Sequence, residues 1–358
     1  MRAAASRANL LRDAKCHNRD REREPYVPTL SAQVLLNYAT QLFVASGVPT
    51  DESEIVARSL VEANLRGHDS HGVMRIPQYL DTMREGKMFA NVALDVLDET
   101  PALFAADANW GLGQVQAHRM LARIMEKAKA LGVAAGTLRR CGHIGRLGEY
   151  AERAAAAGMV LIGTVNSHGQ GRRVAPPGGI EGRISTNPLC IGAPTPTDPL
   201  ILDIGTSVCA EGKVRVAYQK GERVPEGWVQ DADGKPTTDP SVLYEQPIGS
   251  ILPLGGPQAY KGFGLGLLLD VLAGGLSGGS CSKVDAPKSV GNTVLFILLD
   301  TAHFGGPEHF LTEAGILCEF VRHCPRAPGV DSIQLPGDPE RRALARRSSE
   351  GIPIPDGL

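Results

Sequence analysis

The sequence predicts an α/β chain of α+β character: a small helical unit, then a mixed, largely antiparallel sheet flanked by helices. Three observations carry that expectation. Apolar residues recur at helical spacing through roughly the first 85 residues. The middle of the chain instead holds short β-prone runs broken by Pro and Gly, with long gaps that lack helices. Those gaps argue against classical alternating βαβ winding, and no G-x-G-x-x-G dinucleotide fingerprint stands at a strand-to-helix turn.

The elements follow in order. Residues 30–46 place apolar groups on one helical face, and Gly47-Val48-Pro49 stops the helix. Asp51 and Glu54 form a D-x-x-E start for a second helix running to Leu65. A turn-rich stretch, GHDSHGVMR, precedes a third helix around 76–85. Residues 114–131 read as a helix and 133–138 as a strand, then 145–157 as a helix and 159–165 as a strand. Further strands are expected at 189–193, 200–204, 214–218, 251–254 and 293–299. Helices at 262–276 and near 309–323 complete the pattern, and the last 20 residues read as charged and Pro-punctuated.

Composition narrows the function classes. Of 358 residues, 42% are hydrophobic and 21% charged, as in an ordinary soluble globular chain, so coiled-coil, collagenous and wholly disordered readings are excluded. Net charge is −2, from 37 basic and 39 acidic residues, so nothing suggests nucleic acid as a partner. No apolar run reaches membrane-spanning length; the best, 263–276, is short and carries Asp270. Seven widely spaced cysteines without CxxC fit a reduced, cytoplasmic protein better than a disulfide framework or a zinc site. Residues 1–27 have no signal-peptide core and read as an extension ahead of the fold.

Four clusters could carry chemistry. The densest is RGHDSHGVMR (66–75), where His71 offers a group titrating near neutrality and Arg75 a bidentate clamp for a carboxylate. An exposed turn with ordinary capping residues is the competing reading. No acidic or Cys partners gather beside His68 and His71, so no metal is expected. The second holds His143 in a glycine-flanked turn before a helix, where it could face a ligand or merely permit close packing. In the third, RISTNPLCIGAP with LILDIGTS, Asp203 lies in an apolar strand, needing a partner such as His or Arg unless it sits exposed at a sheet edge. In the fourth, Lys261 opens a helix, a position that favours it only if an anion is near.

Taken together, LRGHDSHGVMRIPQYL, GHIGRLGEYAERAAAAGM, GRISTNPLCIGAP, LDIGTSVCAEGKVRVAYQKGERVPEGW and YKGFGLGLLLDVLAGGLSG resemble the type-2 malate/L-lactate dehydrogenase family, from about Pro28 onward. The resemblance implies an NAD(P)-dependent oxidoreductase, using NAD or NADP, that interconverts a small 2-hydroxy acid and its 2-keto acid. It implies a non-Rossmann nicotinamide-binding domain at 101–305, a helical substrate and dimerisation domain built from 28–100 with 306–358, and a homodimer. His71 matches the family's proposed acid/base, and His143 a second position given that role. Arg75 would hold the substrate carboxylate, with Ser70, Ser167 and Asn187 lining the pocket and Asp203 among the catalytic residues; if it contacts the imidazole, it would favour the charged form and fix its orientation. Cofactor contacts would fall on Leu202, Asp203, Ile204, Gly205 and Thr206, on Tyr260 and Lys261, and on Gly337, Asp338 and Pro339. The family's glycine-histidine-lysine-glycine stretch is replaced here by GGPQAYKG. Two alternatives stand beside this reading: an NADPH-dependent reductase of a cyclic imino acid, and a non-catalytic binding protein of the same fold.

Overall fold

A computed structural model describes residues 28–286 and 291–354. The extension expected at 1–27 lies outside the described residues.

The chain opens with strand β1 (Thr29–Leu30) and helices α1 (Ala32–Ala45), α2 (Thr50–Leu65) and α3 (Ile76–Arg84). Ser31 caps α1 by accepting from the Val34 amide. The D-x-x-E start expected for α2 does not form. Pro49 caps the helix without a side-chain bond, and Asp51 sits in its first turn, where its charge complements the helix dipole.

Strands β2 (Asp95–Glu99) and β3 (Leu103–Asp107) come next, then α4 (Gly113–Leu131), β4 (Val133–Cys141), α5 (Gly148–Ala156) and β5 (Met159–Asn166). Gly132, at φ 86°, ends α4 in the left-handed region and lets β4 begin at the next residue. Strands β6 (Leu189–Ala193) and β7 (Leu200–Ile204) precede α6 (Glu211–Lys220). The expected strand at 214–218 is therefore a correction: it lies inside α6. Val214 and Ala217, three residues apart, face one buried cluster, and Arg215 pairs with Glu211 one turn back, so helical packing overrides the β-branched propensity.

Three short strands, β8 (Val229–Gln230), β9 (Pro236–Thr237) and β10 (Ser250–Ile251), form a small separate sheet. Helix α7 (Ala259–Asp270) continues into a π-turn at Val271–Gly275, followed by β11 (Asn292–Asp300), α8 (Pro307–Arg322), α9 (Asp338–Glu350) and β12 (Ile352–Pro353). Helix α9 occupies most of the charged, Pro-punctuated end of the chain, for which no element was expected. Pro339 enters in its first turn and Gly351 follows its end, both standard helix punctuation in a strongly charged stretch.

The main sheet has seven strands in the order β2-β3-β4-β11-β5-β6-β7, and only β3 and β4 are parallel. It is the mixed, largely antiparallel sheet that the sequence pattern predicts. Helices α4 and α5 bury one face through Met120, Ile124, Tyr150, Leu161 and Phe296. A second core joins both ends of the chain: Phe43, Val56 and Leu60 pack with Ile352 and Ile354, and β1 pairs antiparallel with β12.

Candidate active site

The site is built on the loop that leaves α2. Two short 3-10 turns, Asp69–His71 and Val73–Arg75, present His71 and Arg75. Asn64 holds them from below: its Nδ2 donates to Asp69 Oδ1 at 2.7 Å and its Oδ1 accepts from the Val73 amide at 2.8 Å. A Cβ on Gly72 would lie 2.1 Å from that Asn64 oxygen, so this approach requires glycine. From above, Arg347 of α9 grips Asp69 with two bonds, 2.6 and 2.9 Å.

His143 comes from the turn after β4. Its ring stacks on His71 at 5.5 Å between centroids, 21° from parallel. Tyr79 of α3 contacts its Nδ1 at 2.7 Å, and the Gly145 amide donates to the same nitrogen at 3.3 Å. Two donors at Nδ1 place the proton of the neutral ring on Nε2. The Tyr79 hydroxyl is itself fixed by Gln114 Nε2 at 3.0 Å. His71 is held more loosely: its Nδ1 lies 3.0 Å from Ser70 Oγ, which can donate or accept, and its Nε2 has no partner among the described residues.

Burial and the positive charge of Arg75 set the titration of both rings. Desolvation, then Arg75, His68 and Arg146, push His71 down to about 3. Desolvation, then Arg75 and His71, hold His143 well below its ordinary value. Both imidazoles are therefore neutral at pH 7 in the ligand-free protein. The titration near neutrality expected of His71 is thus displaced downward in the ligand-free protein. Arg75 spends Nε on the Ser70 carbonyl and Nη1 on Gln78, both at 2.6 Å, leaving Nη2 without a partner among the described residues.

These groups line a cavity of about 910 Å³ together with Ser70, Ser167, Asp203, Ile204, Gly205 and Pro339. Ser167 Oγ lies 3.0 Å from Ser185 Oγ. Asp203 is not bonded to a histidine: its Oδ2 accepts from the Gly148 amide at 2.7 Å, and burial raises its pKa against the opposing effects of His68 and Arg146.

The other expected positions fall elsewhere. Asn187 is fully buried and donates to the Gly266 carbonyl and to Asp270, tying α7 to the sheet rather than lining the cavity. Leu202 and Thr206 flank the lining segment, and Thr206 is spent on the Thr186 and Asn187 carbonyls. Tyr260 and Lys261 are exposed at the start of α7, the Lys261 ammonium 5.9 Å from the Tyr260 ring. Gly337 starts α9, and Asp338 is occupied by Arg341 and Arg322. Sequence reasoning passed over Tyr79, Gln114, Arg146 and Arg347. Tyr79 carried one usable signal, since a tyrosine on the apolar stripe of a helix needs a partner for its hydroxyl.

A family model described as malate/L-lactate dehydrogenase matches residues 30–358. This chain belongs to the malate/L-lactate dehydrogenase family. Hydroxycarboxylate dehydrogenase B of Escherichia coli O157:H7 is 38% identical over 332 residues, covering 91% of this chain and 90% of that protein. The structure of malate dehydrogenase from Pyrococcus horikoshii OT3 superposes with a TM-score of 0.82 at 31% identity, covering 92% and 91% of the two chains. That of delta1-piperideine-2-carboxylate reductase from Pseudomonas syringae pvar. tomato superposes with a TM-score of 0.80 at 30% identity, covering 92% and 96%. Membership makes the chain an oxidoreductase of the malate/L-lactate dehydrogenase family and accounts for the missing dinucleotide fingerprint: the central sheet is not a Rossmann sheet. Among the described residues, no helix is long and apolar enough to cross a membrane.

Proposed function

We propose that the protein interconverts a small 2-hydroxy acid and its 2-keto acid by hydride transfer to or from NAD or NADP, with His71 exchanging the proton. The stacked His71–His143 pair beside the half-used guanidinium of Arg75 carries this reading. The cavity volume suits a nicotinamide cofactor plus a small acid, and its lining includes a buried guanidinium with unused donors. The bound nicotinamide would supply or accept the hydride.

The chain's own residues do the rest. Arg75 Nη2 takes the substrate carboxylate and orients C2. His71 Nε2 faces the reacting oxygen: it gives a proton when the carbonyl is reduced and accepts one when the hydroxyl is oxidised. His71 suits proton exchange better than His143, because Ser70 accommodates either tautomer whereas the Gly145 amide keeps the lone pair of His143 on Nδ1. The carboxylate brought by the substrate offsets the Arg75 charge that disfavours imidazolium in the free protein.

A matrix of malate, lactate and related 2-hydroxy and 2-keto acids against both nicotinamides tests the proposal by absorbance of the reduced cofactor. No turnover anywhere in it would refute the reading. Adding a cyclic ketimine tests the second reading, favoured by the likeness to the piperideine-2-carboxylate reductase.

We also propose the division into a terminal domain, 28–100 with 306–358, and a cofactor domain at 101–305, supported by the two cores and the β1–β12 pairing. A homodimer is proposed through the apolar surface left by Leu268, Val271 and Leu276 after α7 begins and by Leu317 and Phe320 on α8. Sedimentation equilibrium of the wild type checks it.

A further inference from the structure

Tyr79 of α3 is only 2% exposed, so its hydroxyl must find partners inside the protein. Gln114 Nε2 of α4 donates to the oxygen at 3.0 Å, and His143 Nδ1 lies 2.7 Å away. The His143 carbonyl, at 3.5 Å, is the weaker of the two acceptors open to the hydroxyl hydrogen. With Gln114 donating to the oxygen, that hydrogen turns to Nδ1. The Gly145 amide points at the same nitrogen from 3.3 Å, and a proton on Nδ1 would meet it head-on.

His143 therefore has one fixed form. Its lone pair is held at Nδ1 and its N–H at Nε2, and burial beside Arg75 keeps the ring from taking a second proton. Such a ring is no base at Nε2, where it has no lone pair, and no acid unless it is left as an imidazolate. What it can do is donate a hydrogen bond and keep its proton. Nε2 has no partner among the described residues and is not sealed: the ring is half-buried and lines the cavity. His71 stacks beside it, anchored likewise through Nδ1, with its own Nε2 unpartnered on the same cavity.

Resting on the hydride-transfer reading above, we infer that Tyr79 is a positioning residue that fixes His143 as a neutral donor, so that His143 Nε2 polarises the substrate's C2 oxygen while His71 exchanges the proton. In the reductive direction the hydride pair enters C2 and the carbonyl π pair moves onto oxygen. His71 hands that oxygen its proton, and His143 gives up nothing. The two rings divide the oxygen's two lone pairs, one taking the proton and the other accepting the fixed N–H. Charge developing on the oxygen makes that hydrogen bond stronger in the transition state than in the ground state, so it acts on kcat.

Long-range proton–nitrogen NMR of the full-length, ligand-free protein with labelled histidine reads the ring directly. The His143 signals are those lost in His143→Gln. Wild type should show a lone-pair nitrogen at Nδ1 and an N–H at Nε2, and Tyr79→Phe should move both toward the average of mixed tautomers. Kinetics use the most active acid and nicotinamide of the matrix above. Tyr79→Phe should lower kcat about tenfold with KM nearly unchanged. His143→Ala should lower kcat about 100-fold or more, and His143→Gln, which keeps an N–H but does not titrate, should recover at least about tenfold of that.

An N–H at Nδ1, or a doubly protonated ring, in wild type at pH 7 would overturn the assignment. So would a Tyr79→Phe that leaves either the ring signals or kcat unchanged, or a His143→Gln no more active than His143→Ala. If Tyr79→Phe fails to fold, the wild-type ring signals and the two His143 variants still decide. Absence of wild-type turnover across the whole matrix would remove the hydride-transfer reading itself, a result distinct from failure of the Tyr79 assignment.

Discussion

Binding of a 2-keto acid to the reduced-cofactor complex should take up one proton at His71. In the free protein that imidazole is pushed down to about 3 by burial and by Arg75, His68 and Arg146, so at pH 7 it is almost entirely neutral. Reduction of the carbonyl consumes a proton, and the complex poised for it is expected to take that proton up at His71 on binding. Linkage then fixes the slope: the dissociation constant rises tenfold per pH unit, about 1.36 kcal/mol each, while the free protein is neutral and the complex charged. Affinity should therefore fall as pH rises wherever the complex holds the proton and the free protein does not, with tenfold per pH unit as the limiting slope. The assay is calorimetric titration of a non-reducible keto-acid analogue, with reduced cofactor present, in two buffers of different ionisation enthalpy. A 2-hydroxy acid titrated with oxidised cofactor should show flat affinity, because it binds the neutral ring. His71→Gln should abolish the uptake, and His143→Gln should keep it. Zero uptake with pH-independent affinity would refute the reasoning, and uptake lost only in His143→Gln would transfer the role.

Three further outcomes are expected. Both histidines titrate below 6.5 in the fold, so the unfolded chain binds their protons first as pH falls; stability should drop from pH 6.5 downward and be full above it, and His71→Gln should flatten urea midpoints over that window. Gly113→Ala would put a Cβ 2.3 Å from the Gly142 and His143 carbonyl oxygens, backbone that cannot swing aside. It should cost about 1–3 kcal/mol of stability and displace His143, lowering kcat by more than tenfold, as denaturant melts and steady-state kinetics would show. Arg347→Met should release Asp69 and loosen the His71 loop, lowering kcat about tenfold. Partial rescue by Arg347→Lys, which cannot make the two-pronged contact, separates this from a loss of packing.

Periodicity, stop signals and short β-prone runs determined the helical first segment, the largely antiparallel sheet and the segments carrying His71, Arg75, His143 and Asp203. They are local features, readable wherever one face or one strand is uniformly apolar. The 214–218 stretch shows the limit: its β-branched residues become helical because Val214 and Ala217 find a common buried face, which no local propensity contains.

Tertiary structure alone decided the pairings that create the chemistry. His71 and His143 are 72 residues apart in sequence and stack because α2 and the turn after β4 converge on one cavity. Arg347 reaches Asp69 only because the C-terminal segment returns to the first core. Of the partners open to Asp203, the fold supplies the Gly148 amide for a hydrogen bond and sets Arg146 nearby, with no bond to an imidazole among the described residues. Residue type announces a capacity to titrate or to hold a charge. Burial and partner, which depend on where distant segments meet, set its protonation state and its use.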